Sequence, residues 1–189
     1  GRFEEVGVIT GAAYNRSARE LGSMGIDCAD YDNDGRLDFF MTSYQSELPV
    51  LYRNLGDGLL EDVTVQAGAG DGAFAYVNWG TGLVDLDNDG DRDLFIACGH
   101  LQDNIDRFDA SSAYEVRNLV LMNTGDGRFA NVSERSGDGL LAKLSSRGAA
   151  FDDLDNDGRL DVVILNSRRE PTVLRNESPG RSHWLQIRL

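Results

Sequence analysis

Asp30-Tyr31-Asp32-Asn33-Asp34-Gly35-Arg36-Leu37-Asp38 occurs once and then returns twice. The second copy is Asp85-Leu86-Asp87-Asn88-Asp89-Gly90-Asp91-Arg92-Asp93, and the third is Asp153-Leu154-Asp155-Asn156-Asp157-Gly158-Arg159-Leu160-Asp161. In every copy the first, third, fifth and ninth residues are Asp and the sixth is Gly. Self-similarity of this kind marks a repeat architecture, and it organises the rest of the chain.

Outward from these loops lies a second repeated block. Arg53-Asn54-Leu55-Gly56-Asp57-Gly58-Leu59-Leu60-Glu61-Asp62-Val63 matches Met122-Asn123-Thr124-Gly125-Asp126-Gly127-Arg128-Phe129-Ala130-Asn131-Val132. Gly1-Arg2-Phe3-Glu4-Glu5-Val6 matches the end of the same block, so the sequence reads as an excerpt of a longer protein that begins just inside a Gly-Asp-Gly turn. Each repeat reads as up to four short strands. The first leads into the Asp loop (residues 24–29, 81–84 and 148–151) and the second leaves it (37–43, 93–97 and 160–165). The third precedes the Gly-Asp-Gly turn (50–54 and 118–123, with 172–176 as the counterpart), and the fourth follows it (59–63 and 128–132). Apolar runs such as Asp161-Val162-Val163-Ile164-Leu165 suit strands buried on both faces, and Gly-Asp-Gly between two such runs is a hairpin signal. No helical period stands out. The expected fold is all-β: three four-stranded antiparallel β-propeller blades, forming a partial propeller. Closed propellers have about four to eight blades, so three predict missing blades upstream or an open arc.

The Asp loops are built for Ca2+. This ion takes about six to eight hard oxygen ligands at about 2.3–2.6 Å in flexible geometry, and alternate carboxylates on a tight loop converge on one point. The candidate ligands are Asp30, Asp32, Asp34 and Asp38; Asp85, Asp87, Asp89 and Asp93; and Asp153, Asp155, Asp157 and Asp161. The seventh residue (Arg36, Asp91 or Arg159) would add a backbone carbonyl, for which the side chain is free to vary. Gly at the sixth position permits the sharp turn. An EF-hand needs a bidentate Glu at its twelfth position between helices, whereas these loops have Met41, Ile96 and Ile164 there, between strands. Zn2+ is disfavoured because no Cys or His lies within the loops, and Mg2+ because it keeps its waters. About three Ca2+ ions, mainly structural, are expected.

The chain of 189 residues carries 32 Asp and Glu against 18 Lys and Arg, a formal net charge of −14. That balance argues against nucleic-acid binding, which needs a basic face. Three divalent cations would bring the charge to about −8, an ordinary value for a soluble surface. No apolar run reaches the roughly 20 residues that span a bilayer, so no membrane insertion is expected in this segment. Cys28 and Cys98 make no disulfide framework and read as two small buried side chains.

The Asp-x-Asp-Asn-Asp-Gly-x-x-Asp loops resemble the FG-GAP/VCBS repeats, the calcium hairpins of integrin α-subunit propellers. The paired blocks at 52–58 and 122–129 are similar to the variant in ASPIC/UnbV-domain proteins, relatives of cartilage acidic protein. The tail, Leu174-Arg175-Asn176-Glu177 through His183-Trp184-Leu185-Gln186-Ile187-Arg188-Leu189, resembles the junction at which an ASPIC/UnbV domain begins. The resemblance implies propeller repeats over 1–176, with a linker and the start of that domain at 177–189. It also implies a secreted, periplasmic or cell-surface protein. The Phe-Gly signature is replaced by Met24-Gly25, Trp79-Gly80 and Arg147-Gly148, and the chain has no Arg-Gly-Asp.

No nucleophile elbow, phosphate loop, His-Glu-x-x-His or Cys-x-x-Cys is present. His100 opens the longest irregular stretch, residues 100–116, and with Asp103 and Arg107 it forms a candidate ligand contact, since binding residues concentrate on long insertions. His183 reads as packing beside Trp184, Trp79 as filling space between blades, and Arg168-Arg169-Glu170 as a solvated turn. The expected role is a calcium-stabilised scaffold for extracellular recognition of a protein or glycan. The alternative is a carbohydrate-active lyase, dehydratase or hydrolase with His100 or Asp103 as acid–base.

Overall fold

Three antiparallel sheets follow one another along the chain in the computed structural model, which describes residues 1–179. The first is the meander β1 (Ile26–Ala29), β2 (Asp38–Met41), β3 (Val50–Gly56) and β4 (Leu59–Asp62). The second repeats it as β5 (Asn78–Val84), β6 (Asp93–Cys98), β7 (Leu119–Asn123) and β8 (Phe129–Asn131). The third contains β9 (Ser146–Asp152), β10 (Asp161–Asn166) and β11 (Thr172–Leu174). Its fourth strand, expected from the repeat, is absent among the described residues. The inner strand β5 packs against both β1 and β9, so the sheets stand side by side as propeller-like blades in an open arc. Residues 180–189, with His183 and Trp184, lie outside the described residues.

Alternation explains the apolar runs. In the middle blade Leu94, Ile96 and Cys98 of β6 and Leu119 and Leu121 of β7 join a core with Tyr31, Phe40 and Leu51 of the first blade. Phe95, Ala97 and Val120 point the other way, into a second core with Val162 and Ile164 of the third blade. Successive side chains on a strand face opposite sides, so a blade with neighbours on both faces must be apolar at every position. All six residues of β6 are accordingly buried.

The inner strands approach one another closely through glycine. A Cβ on Gly25 would fall 2.2 Å from the Trp79 carbonyl oxygen, and one on Gly80 would fall 2.5 Å from the Ala149 nitrogen. These are the glycines of the matched pairs Met24-Gly25 and Trp79-Gly80, so the first two repeats each keep one glycine where the next blade's backbone passes.

The fold departs from the sequence reading in three respects. Short helices are present: α1 (Gly7–Thr10), α2 (Thr64–Ala67) and α3 (Asp138–Leu141). A single turn is too short to show a period. The turns α1 and α2 follow Val6 and Val63 and end on Gly11 and Gly68, whose φ values of 90° and 71° are left-handed. A one-turn 3-10 helix at Ser133–Arg135 likewise follows Val132 and precedes Gly137, φ 90°. The match between the N-terminus and the second block therefore extends through Gly11. Finally, only Cys98 is buried; Cys28 is exposed, because it lies on the face of β1 turned away from the core it shares with the middle blade.

Candidate metal centre

Each Asp loop joins the first strand of a blade to the second, at the same end as the Gly-Asp-Gly hairpin. In the first hairpin Asp57 and Gly58 have φ of 52° and 77°, the two positive values of a type I′ turn. Within the loops the fourth-position residues Asn33, Asn88 and Asn156 are left-handed at φ 58°, 60° and 60°. Asn tolerates this conformation better than most residues.

Three carboxylates converge in every loop. Asp30, Asp32 and Asp38 each place an oxygen within 4.8 Å of the others, as do Asp85, Asp87 and Asp93, and Asp153, Asp155 and Asp161. Ligands on opposite sides of a Ca2+ ion are about 4.6–5.2 Å apart, so this spacing admits one ion. The donors are all oxygens, which suits a hard cation. Asp32 Oδ1 is buried without a hydrogen-bond partner among the described residues, an acceptor that a cation would satisfy. The residues present therefore fit calcium.

Hydrogen bonds within each loop hold these carboxylates and the fifth-position Asp in place. The first Asp caps the turn: Asp30 accepts N–H bonds from Asp34 and Gly35, Asp85 from Asp89 and Gly90, and Asp153 from Asp157 and Gly158. The fifth Asp accepts from the seventh backbone N–H in each copy. Arg36 and Arg159 also pair with Asp34 and Asp157 and donate Nε to the Asn54 and Asn176 carbonyls at 2.7 and 2.6 Å. The fifth-position carboxylate thus helps to shape the loop. The ninth Asp is buried and bridges loop to sheet: Asp38 accepts from Tyr31 and Asn54, Asp93 from Leu86 and Asn123, and Asp161 from Leu154 and Asn176.

Burial, with added crowding by neighbouring loop carboxylates, raises the carboxyl pKa of Asp32, Asp38 and Asp87. Burial likewise pushes Asp93 up to about 7, although backbone N–H bonds from Leu86 and Asn123 oppose it. Metal-free, this carboxylate prefers a proton; a cation would take the proton's place.

The sequence reading missed the asparagines that link the loops. Asn123 Nδ2 donates to the Tyr31 carbonyl at 2.9 Å, and Asn176 Nδ2 to the Leu86 carbonyl at 2.7 Å, each reaching back to the preceding blade's loop. Asn33 reaches forward to Asp91 Oδ1 at 2.6 Å, and Asn88 to the Gly158 carbonyl at 2.9 Å. The signal was present in the quoted blocks, since an Asn recurs at Asn54, Asn123 and Asn176.

The candidate ligand contact does not assemble. His100 is buried, its Nδ1 accepts the Gln102 N–H at 3.0 Å, and its carbonyl is held by Ser145 and Arg147. Asp103 pairs instead with Arg168 at 2.7 Å, and Arg107 sits in a one-turn 3-10 helix at Ile105–Arg107. Arg169 pairs with Glu115, Tyr114 Oη donates to Ser167 Oγ, and Gln45 donates to Asp109. The insertion at 100–116 is therefore a strap that ties the middle blade to both neighbours. Trp79 does lie between blades: its Nε1 donates to the Gly99 carbonyl, and Arg147 stacks 4.6 Å over its ring. Beside the first loop a cavity of about 240 Å3 is lined by residues including Asp32, Arg53, Glu61 and Arg128.

A family model described as FG-GAP-like repeat matches residues 30–96 and, in a second copy, 85–164. A search of curated proteins found no match.

Proposed function

Because the chain belongs to the FG-GAP-like repeat family, we propose that it is a calcium-stapled propeller scaffold that recognises a protein or glycan outside the cell. The observation that carries the calcium reading is the triad itself, repeated three times with the same capping N–H bonds and the same buried ninth-position Asp. In each blade the ion would tie the loop to the sheet at the ninth-position carboxylate, which already binds both. The loops of neighbouring blades touch through asparagine, so the ions would also stiffen the blade-to-blade contacts.

Within the family we place the chain with the VCBS-type and ASPIC/UnbV-associated repeats, supported by the residues preceding each Gly-Asp-Gly turn. Residues 1–176 are then repeats, and 177–189 a linker into an ASPIC/UnbV domain. The secreted, periplasmic or cell-surface assignment is supported by the resemblance of the repeats and by the calcium reading, since calcium is abundant outside cells. The recognition role is supported by the 100–116 strap, a one-off elaboration on a repeated frame. The enzyme alternative draws no support from His100, whose ring is bonded to backbone and meets neither Asp103 nor Arg107.

Thermal unfolding of metal-stripped protein, with and without millimolar Ca2+, together with calorimetric titration, tests the calcium reading. A rise in Tm with about three ions bound is expected, and an unchanged Tm with no binding heat would sink it. Glycan-array and extracellular-protein binding screens, run with intact protein and with the strap side chains replaced, test recognition.

A further inference from the structure

The three loops share their carboxylates but differ in the residue beside them. Each third strand places one residue directly before the stapling asparagine: Arg53, Met122 and Arg175. In the third blade Arg175 Nε pairs with Asp155 Oδ2 at 3.0 Å, and Asp155 is a member of the carboxylate triad. In the first blade the matching arginine lies beside the triad member Asp32 but is ion-paired elsewhere. Arg53 faces Glu61 across the β3–β4 pair and holds it at 2.7 Å. In the middle blade Met122 carries no charge, faces Ala130, and packs against the core around Leu86 and Phe95.

The seventh position sharpens the difference. Arg36 and Arg159 set a guanidinium on the first and third loops through Asp34 and Asp157. The middle loop has a fifth carboxylate there, Asp91, steadied by Asn33 of the preceding loop. Calcium loops are tuned by ligand charge and rigidity, and a guanidinium on a ligand carboxylate draws on the same negative charge that the cation needs.

We infer that the loops fill in a fixed order, the middle loop first, then the first loop and last the third, and that Arg175 is the residue that holds the third site back. The inference rests on the calcium reading above. Arg175 acts as an internal competitor: it neutralises Asp155 when the ion is absent and must be outbid when the ion arrives.

The test is calorimetric titration of the whole metal-stripped chain with Ca2+. Wild type should show steps spread over on the order of 100-fold in Kd, and Asp153→Asn should delete the weakest. Arg175→Met should tighten that weakest step by about two- to fivefold and leave the others in place. Met122→Arg should weaken the tightest step by a similar factor. Because Met122 packs against core, Arg175→Gln at the exposed site serves as the second variant and should act like Arg175→Met. Equal steps in wild type, or an unchanged weakest step in both Arg175 variants, would overturn the order while leaving calcium binding intact. A flat wild-type titration would instead remove the calcium reading, and the order with it.

Discussion

The two ends of the blades are held together by different means. At the loop end each blade has three converging carboxylates and a left-handed Asn, and in the second and third blades an Asn also reaches the preceding loop. At the opposite end the middle blade alone sends out a strap, which grips one neighbour through Gln45–Asp109 and the other through Asp103–Arg168 and Glu115–Arg169. Three of the four loop-to-loop links end on backbone and are buried or half-buried, whereas the strap's ion pairs are exposed. Buried hydrogen bonds to backbone are costly to lose, while exposed ion pairs contribute little. The arc should therefore owe its stability to the loop end and its individuality to the strap.

Calcium removal should expose this contrast most strongly. At 100 times Kd each filled loop adds about 2.7 kcal/mol, so stripping the metal should lower Tm by many degrees, measured by calorimetry. Asp87→Ala should remove most of the middle loop's share of that gain; a full gain in the variant would move the stabilisation away from the loops.

The second effect is a pH dependence that reverses with metal. Folding raises the Asp93 carboxyl to about 7 from about 3.9 in an unfolded chain. Its stabilising contribution in metal-free protein is therefore complete below about pH 4 and is lost as pH rises through about 7. Metal-stripped protein should melt at higher temperature at pH 5 than at pH 8, and the Tm gain from Ca2+ should be larger at pH 8. A metal-free Tm that does not fall between these values would sink the assignment of Asp93 as a carboxyl poised between proton and metal.

Asn123→Ala should come next, at about 1–3 kcal/mol by urea denaturation, because it leaves the Tyr31 and Arg92 carbonyls without their donor. The smallest effect belongs to the strap: Asp103→Ala breaks an exposed pair and should cost under about 1 kcal/mol. Were Asp103→Ala to cost more than Asn123→Ala, the two ends would have to exchange roles.

The same division decides what could be read from the sequence. The blades, the hairpins and the acidic triads were legible because repetition filters out accident: one Asp-rich turn means little, and three in register fix a fold. Repetition also marked Asn54, Asn123 and Asn176, yet no rule of local geometry says that an amide will reach across to another blade, so their role emerged only in three dimensions. Spacing alone does not show that the first- and fifth-position Asp also accept N–H bonds from their own loop. The one-turn helices escaped because a single turn has no period. His100, Asp103 and Arg107 lie near one another in sequence, and the strap engages the His100 ring with backbone and Asp103 with Arg168.

The asparagine links run in both directions, Asn33 forward to Asp91 and Asn123 back to Tyr31, and they join only adjacent blades. Pulled from its two ends, such an arc would behave like a short stitched seam. Tension falls on one pair of stitches at a time, and the middle blade, sewn on both sides, gives way after at least one of its neighbours has peeled off.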